Sequence, residues 1–368
     1  MKKIGILTFH NANNYGAVLQ AYALKLTLVK LGNTAHILNY YCSKIQREYK
    51  GIPQFKKSFF EILKYPFKLL LLPLLKAWIA TRFTKFRKQY LLDTPPLLPD
   101  TIKENTRSYD MFICGSDQVF NPRITNFDAN YFLAFSPTKT KNYSYAASFG
   151  LSLECLLPAE RTFCTQHLAH LNQISVRETQ GSQMVKNLSA QQAVVHIDPT
   201  LLLSKTDWEA LAVSPKEKHY VLLYLLSEDP NLVRLAQQLA REKGCTLLFI
   251  SPSIHFRKVE NVSYMRPTPQ EWLGLFQHAD YILTNSFHGL AFAVNFNKSF
   301  VVAPALGKRS YLNSRLDNLL EITGLQDRLY TSFTQTDIFN KKIDWQSVNK
   351  ILDQQRQKSM TYLKEISK

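Results

Sequence analysis

The feature that most constrains this chain is the repeated alternation of short, almost wholly apolar runs with helical stretches. "KIGILTFH", "TAHILNY", "MFICGS", "YSYAASF", "ISVRE" and "VVHIDPT" occupy the first half, and "YVLLYLL", "TLLFIS", "YILTNS" and "SFVVAP" the second. Strands that are apolar at successive positions are buried on both faces, and strands separated by helices pair in parallel. The pattern therefore predicts doubly wound α/β sheets with helices on both sides. In such sheets ligands collect beyond the carboxyl ends of the strands, so the residues just after each run are the candidates for chemistry.

At 368 residues the chain exceeds a typical domain of roughly 100–200 residues. In "HIDPTLLLSKTDWEAL", Pro199 interrupts a strand pattern and a new helix starts near Asp207, which sets a boundary at about residue 205. The expectation is one Rossmann-like domain over 1–205, a second over 206–340 and an amphipathic helix over 341–368. That helix offers Val348, Ile351, Leu352, Met360 and Leu363 for packing.

The hydrophobic share of 45% and the charged share of 20% belong to a globular protein rather than a disordered one. A net charge of +17 raises the question of nucleic acid, but its distribution argues otherwise. Twelve Lys and Arg against two Glu fall between Lys44 and Lys88, which is more than half of the excess. No zinc-finger or RNA-recognition signature accompanies them, so no nucleic-acid partner is expected.

The same region, an insertion over about 44–90, contains "YPFKLLLLPLLKAWIATRF". Lys68, Pro73 and Lys76 break it below the ~20 apolar residues of a membrane span. Two readings stay open for residues 55–88: a basic, apolar helix lying in an anionic membrane interface, or a helical insertion packed on its own domain with a solvated basic face. The start "MKKIGILTFHNANN" lacks the apolar stretch of a signal peptide. Cys42, Cys114, Cys155, Cys164 and Cys245 form no CxxC pair, which predicts reduced cytoplasmic thiols and no metal site.

Candidate site residues follow the strands. After the first run, "NNYG" puts Asn14, Tyr15 and Gly16 at a helix start whose free N–H groups suit an anion or a sugar hydroxyl. It is neither a GxGxxG nor a Walker motif, and a tight turn with no ligand fits the same residues. After "MFICG", Ser116, Asp117 and Gln118 offer a carboxylate base and hydroxyl binders, or simply a helix cap. Ser148 ends "YAAS", and Arg177 beside Glu178 ends "ISVRE", as an anion-binding fork or as half of an ion pair.

In "TNSFHG", Ser286, His288 and Gly289 stand between a strand and a helix, where a histidine can bind an anion or exchange a proton. The preceding helix has a clear start, with Thr268 as cap, Pro269 at its first position and Glu271 closing a capping box. Beyond "SFVVAP", Lys308, Arg309 and Arg315 either add positive charge to the same mouth or belong to a solvated loop.

Together, "NNYGAVLQAYAL", "FICGSDQVFNP", "SYAASFG", "ISVRE", "DPTLLL" and "TNSFHGLAFAVNF" resemble, in order and spacing over roughly residues 1–330, the bacterial polysaccharide pyruvyl transferase family. The resemblance implies a fold similar to GT-B glycosyltransferases, with an acceptor-side first domain, a donor-side second domain and a C-terminal helix crossing back to the first. It implies transfer of the enolpyruvyl group of phosphoenolpyruvate onto two hydroxyls of one sugar in a capsule or exopolysaccharide repeat unit, as a ketal, with release of phosphate and no cofactor.

By motif, His288 falls to donor binding or proton transfer and Arg177 to the donor's carboxylate or phosphate. Asp117 falls to the acceptor-side base, with Asn14 and Gln118 as hydroxyl binders. The sequence departs at Ser286, where several members carry an arginine; Lys308, Arg309 or Arg315 is expected to supply that charge. A lipid-linked acceptor would give residues 55–88 a place at the inner face of the cell membrane. The competing readings are a GT-B glycosyltransferase using a nucleotide sugar and a non-catalytic binder.

Overall fold

In a computed structural model of the chain, residues 1–42, 80–251, 259–305, 313–331 and 335–368 are described. The insertion up to residue 79, and with it most of the 55–88 expectation, lies outside them, as do Lys308 and Arg309.

The first domain is built on parallel strands β1 (Lys3–Leu7), β2 (Thr34–Ile37), β3 (Met111–Cys114) and β4 (Asn142–Ser144), ordered β2-β1-β3-β4. A parallel pair, β5 (Ile174–Val176) and β6 (Ala193–Val195), continues this sheet through bridges from Tyr143 to Gln173 and from Ala147 to Val176. The second domain has a fully parallel sheet of β7 (Tyr220–Tyr224), β8 (Thr246–Ile250), β9 (Ser263–Met265), β10 (Tyr281–Thr284) and β11 (Ser299–Val302). Its order is β11-β10-β7-β8-β9. All four residues of β3 and all five of β7 are buried, which is why the sequence shows no alternation there.

Besides a helix over 80–90, the longer described helices are α1 (Tyr15–Lys30), α2 (Pro158–Leu168), α3 (Thr179–Leu188), α4 (Pro230–Lys243), α5 (Pro269–His278), α6 (Phe287–Asn295), α7 (Ser314–Thr323) and α8 (Trp345–Ile366). Their starts are legible chemically. Asn14 caps α1, Asp229 caps α4, and Thr268 with Glu271 closes the capping box of α5.

This is a two-domain α/β, Rossmann-like architecture, and each sheet reverses its winding once. In the first the reversal lies between β1 and β3; in the second it lies between β7 and β10. The two reversal points face each other. Tyr15 of α1 donates from its hydroxyl to the Pro267 carbonyl at 2.8 Å and stacks on Trp272 of α5, which fixes the first domain against the second.

On the other side, α8 reaches back to the first domain: Tyr362 donates to the Ser144 carbonyl at 2.9 Å, and the Ser359 hydroxyl meets His196 Nδ1 at 3.1 Å. Along α8, Val348, Leu352 and Leu363 are buried, whereas Ile351 and Met360 are only half-buried. Among the described residues no helix is long and apolar enough to cross a membrane. The described end of the insertion is a helix over 80–90, and its Phe83 and Phe86 are buried in the core.

Candidate functional site

The cleft lies where the two winding reversals meet. Asn14 follows β1, Asp117 and Gln118 follow β3, Ser227 follows β7, and Ser286 and His288 follow β10; all six line it. Arg315, from the first turn of α7, lines it too. Strand order alone therefore explains why residues far apart in sequence share one cavity.

His288 sits at the start of α6, whose cap is Ser286: the Ser286 hydroxyl accepts from the Gly289 N–H at 3.3 Å. Only 7% of His288 is exposed, and its Nε2 has no hydrogen-bond partner. The other side of the ring lies against Gly16 of α1, where a Cβ would run into Nδ1. Gly289 is equally constrained, since a Cβ there would strike the Thr284 hydroxyl. The motif residues Gly16 and Gly289 thus serve close packing around the histidine rather than chain flexibility.

Behind the histidine stands a buried charge network. Asp198, fully buried, accepts from Arg177 Nη1 at 2.8 Å with Oδ2, and the same oxygen lies 3.7 Å from His288 Nε2. Its Oδ1 accepts from the Thr200 N–H and hydroxyl at 3.0 and 2.8 Å. Burial alone would raise the Asp198 carboxyl, but the His288 ring, Arg177 and the Thr200 N–H outweigh it and hold it well below the usual carboxylate range.

Arg177 also lies 3.7 Å from Asp117 and 3.8 Å from Glu178. Burial opposes its charge, and Asp198, Asp117 and Glu178 together reverse that and raise it. For Glu178 burial prevails over Arg177 and the Ser148 hydroxyl, so its carboxyl is raised. Asp117 adopts a left-handed backbone with φ of 67°, a conformation aspartate tolerates better than most residues. This turns its carboxylate onto its own neighbour's N–H at 2.9 Å.

Not every expected residue reaches the cleft. Ser116 is fully buried, donates to the Ala146 carbonyl at 2.6 Å and lies 3.2 Å from Asp198. Ser148 donates to Glu178 at 2.7 Å from a fully buried position. The Tyr15 hydroxyl is committed to Pro267. Arg177, 2% exposed, lies behind the cleft rather than in its lining. Asn14, Gln118 and Asp117 line the mouth, and Asn14 also caps α1 through a 3.2 Å bond from the Ala17 N–H.

Two residues escaped the sequence reading. Asp198 precedes Pro199 and reads locally as a helix cap, so nothing in "DPT" announces its distant partners Arg177 and His288. Arg87, in the helix over 80–90, donates at 2.9 Å to both the Asn11 carbonyl and the Asn13 side chain, clamping the loop that delivers Asn14. Burial lowers the Arg87 guanidinium. Among the described residues no group of three or more His, Cys, Asp or Glu is placed to hold a metal.

The family description "Polysaccharide pyruvyl transferase" matches residues 14–303. No curated protein sequence matches the chain. Among solved structures, a putative UDP-N-acetylglucosamine 2-epimerase from Listeria monocytogenes is similar at 10% identity and a TM-score of 0.51, covering 96% of this chain and 91% of that one. Anabaena Alr3699/HepE, solved with UDP-glucose, is similar at 11% identity and a TM-score of 0.51, covering 100% and 98%. These likenesses establish the fold, a GT-B-like pairing of two Rossmann-like domains.

Proposed function

The chain belongs to the polysaccharide pyruvyl transferase family and is a transferase, and from that premise we propose that it moves the enolpyruvyl group of phosphoenolpyruvate onto two hydroxyls of one sugar. The acceptor is a sugar of a capsule or exopolysaccharide repeat unit, carried on a lipid at the inner membrane face, and the product is a pyruvate ketal. The observation that carries this reading is the division of the cleft. His288 and Arg315 stand on the second-domain wall, while Asp117, Asn14 and Gln118 stand on the first.

The chemistry needs that division. Phosphoenolpyruvate brings a carboxylate and a phosphate, which require cationic and N–H donors. A proton delivered to its methylene carbon turns that carbon into a methyl group and leaves an oxocarbenium-like centre at C2. One sugar hydroxyl attacks C2 and gives up its proton, phosphate departs with the enol oxygen, and the second hydroxyl closes the ketal with loss of its own proton.

His288 is the group for the proton on the donor side, because its ring lines the cleft and its Nε2 lies 3.7 Å from the buried Asp198 carboxylate. Asp117 is the base for the attacking hydroxyl, being the least buried carboxylate of the cluster, with a side chain 14% exposed. Asn14 and Gln118 orient the sugar. Thermal unfolding with candidate donors tests the reading: phosphoenolpyruvate should raise the melting temperature while UDP-sugars leave it unchanged. The reverse pattern would make the protein a nucleotide-sugar glycosyltransferase.

A further inference from the structure

Two buried guanidiniums flank the ring of Phe287, Arg177 at 4.5 Å and Arg315 at 6.0 Å from its centroid. Their surroundings are opposite. Arg177 has Asp198, Asp117 and Glu178 within 3.8 Å, so its charge is matched within the protein although its Nε and Nη2 make no hydrogen bond. Arg315 is only 9% exposed, yet among the described residues no carboxylate lies within ion-pair distance of it, and its Nε has no hydrogen-bond partner.

Burial and position act against a lone cation here, and only the Phe287 ring and the more distant Asp117, Glu178 and Asp198 act for it. It is the second residue of α7, at the positive end of the helix dipole. A like charge, Arg177, shares the Phe287 ring with it. The one acid in the same turn, Asp317, is exposed to solvent. Burial, followed by Arg177, outweighs the opposing pull of Asp117, Glu178 and Asp198 and pushes the Arg315 guanidinium down to about 10. A buried charge is tolerated when something pairs with it, and what remains open to Arg315 is the cleft it lines.

The placement of α7 is itself built. Its Asn318 accepts from the Thr179 hydroxyl at 3.1 Å, holding the helix against the start of α3 and so against Arg177. The ring of His288 lines the same cavity, with Nε2 turned toward the buried Asp198 carboxylate 3.7 Å away.

Resting on the pyruvyl-transfer reading, we infer that Arg315 is the cation that grips the donor's oxyanion, and that Arg177 is a buried counter-ion that holds the three carboxylates in register. The ligand is an oxyanion able to take the two-pronged guanidinium fork, a phosphate or a carboxylate. Arg177 meets the donor only through the field it shares at Phe287.

Calorimetric titration of the full chain with inorganic phosphate, pyruvate and phosphoenolpyruvate tests this. Arg315→Gln should weaken phosphoenolpyruvate by about tenfold or more. It should also abolish whichever of phosphate or pyruvate the wild type binds, which identifies the end of the donor that is held. Arg315→Lys should lose less, because the charge stays and the fork goes. Wild-type affinity for phosphoenolpyruvate in Arg315→Gln would overturn the inference. If that variant does not fold, wild-type affinity for all three probes in Arg315→Lys would overturn it instead. Loss of anion binding in Arg315→Gln, with no ketal formed by the wild type on any acceptor, would sustain this subsite and sink the pyruvyl-transfer reading alone.

Discussion

Asp198 Oδ2 accepts the 2.8 Å hydrogen bond of Arg177 and lies 3.7 Å from Nε2 of His288, so one oxygen stands between the arginine of the first domain and the histidine of the second. Removing its charge leaves a buried guanidinium without its nearest partner. Asp198→Asn should cost about 3–5 kcal/mol in urea unfolding. The double variant with Arg177→Met should cost less than the sum of the two single changes, because it removes both charges together; strict additivity would contradict the pairing. The sign with pH follows from the lowered Asp198 carboxyl. Its stabilisation is present above the unfolded value of about 3.9 and fades as pH falls below that, a dependence the Asn variant should lack.

Gly16 sets the second expectation, because a Cβ there would run into Nδ1 of His288. Gly16→Ala has to displace the ring or the helix start. A displacement near 1 Å costs roughly 100-fold in a positioned site. The fall should appear in kcat, beside a melting temperature lowered by the overpacking, and wild-type turnover in the folded variant would show that the ring's position is immaterial.

His196 gives the fold a pH dependence of its own. It is 4% exposed, bonded to Ser359 of α8 and packed on Tyr145 and Tyr362. Burial, with Lys358 nearby, pushes its imidazole down to about 4. The unfolded histidine takes up its proton near 6.5, so stability should fall progressively from about pH 6.5 to 4 as the unfolded state gains the proton first. His196→Gln should flatten that part of the profile, measured by denaturant unfolding at fixed pH steps. An unchanged slope would contradict the assignment.

The basic insertion carries a separate expectation. Its described end, the helix over 80–90, packs inward through Phe83 and Phe86 and holds the Asn14 loop through Arg87. Removal of residues 55–76 leaves that helix intact and should release the protein from anionic liposomes while sparing activity on a soluble acceptor. Retained liposome binding would remove the membrane role.

Much of this was legible in the sequence because parallel strands buried on both faces write themselves as unbroken apolar runs. "MFIC" and "YVLLY" became β3 and β7, and Thr268, Pro269 and Glu271 marked the start of α5. The edge strand β9 did not show, since two of its three residues are exposed and carry no apolar pattern. Placement at strand ends was legible for Asn14, Asp117 and His288, which share one cleft. What each side chain touches was not. Ser116 and Ser148 look identical in sequence to ligand-binding hydroxyls, yet they are spent on Ala146 and Glu178. Asp198 was hidden for the same reason: the pairing of β5 with β6 brings Arg177 to it, and the meeting of the two domains brings His288.

Turnover with the native acceptor tests the central claim most directly. Glycan, or its lipid-linked precursor, from a strain lacking this protein would be incubated with the purified full chain and phosphoenolpyruvate, and both glycan mass and free phosphate followed. The account predicts that each repeat gains the mass of one pyruvic acid less one water, with one phosphate released per ketal, and that His288→Ala does neither. Transfer of a sugar from a nucleotide donor under the same conditions, with phosphoenolpyruvate left intact, would contradict it.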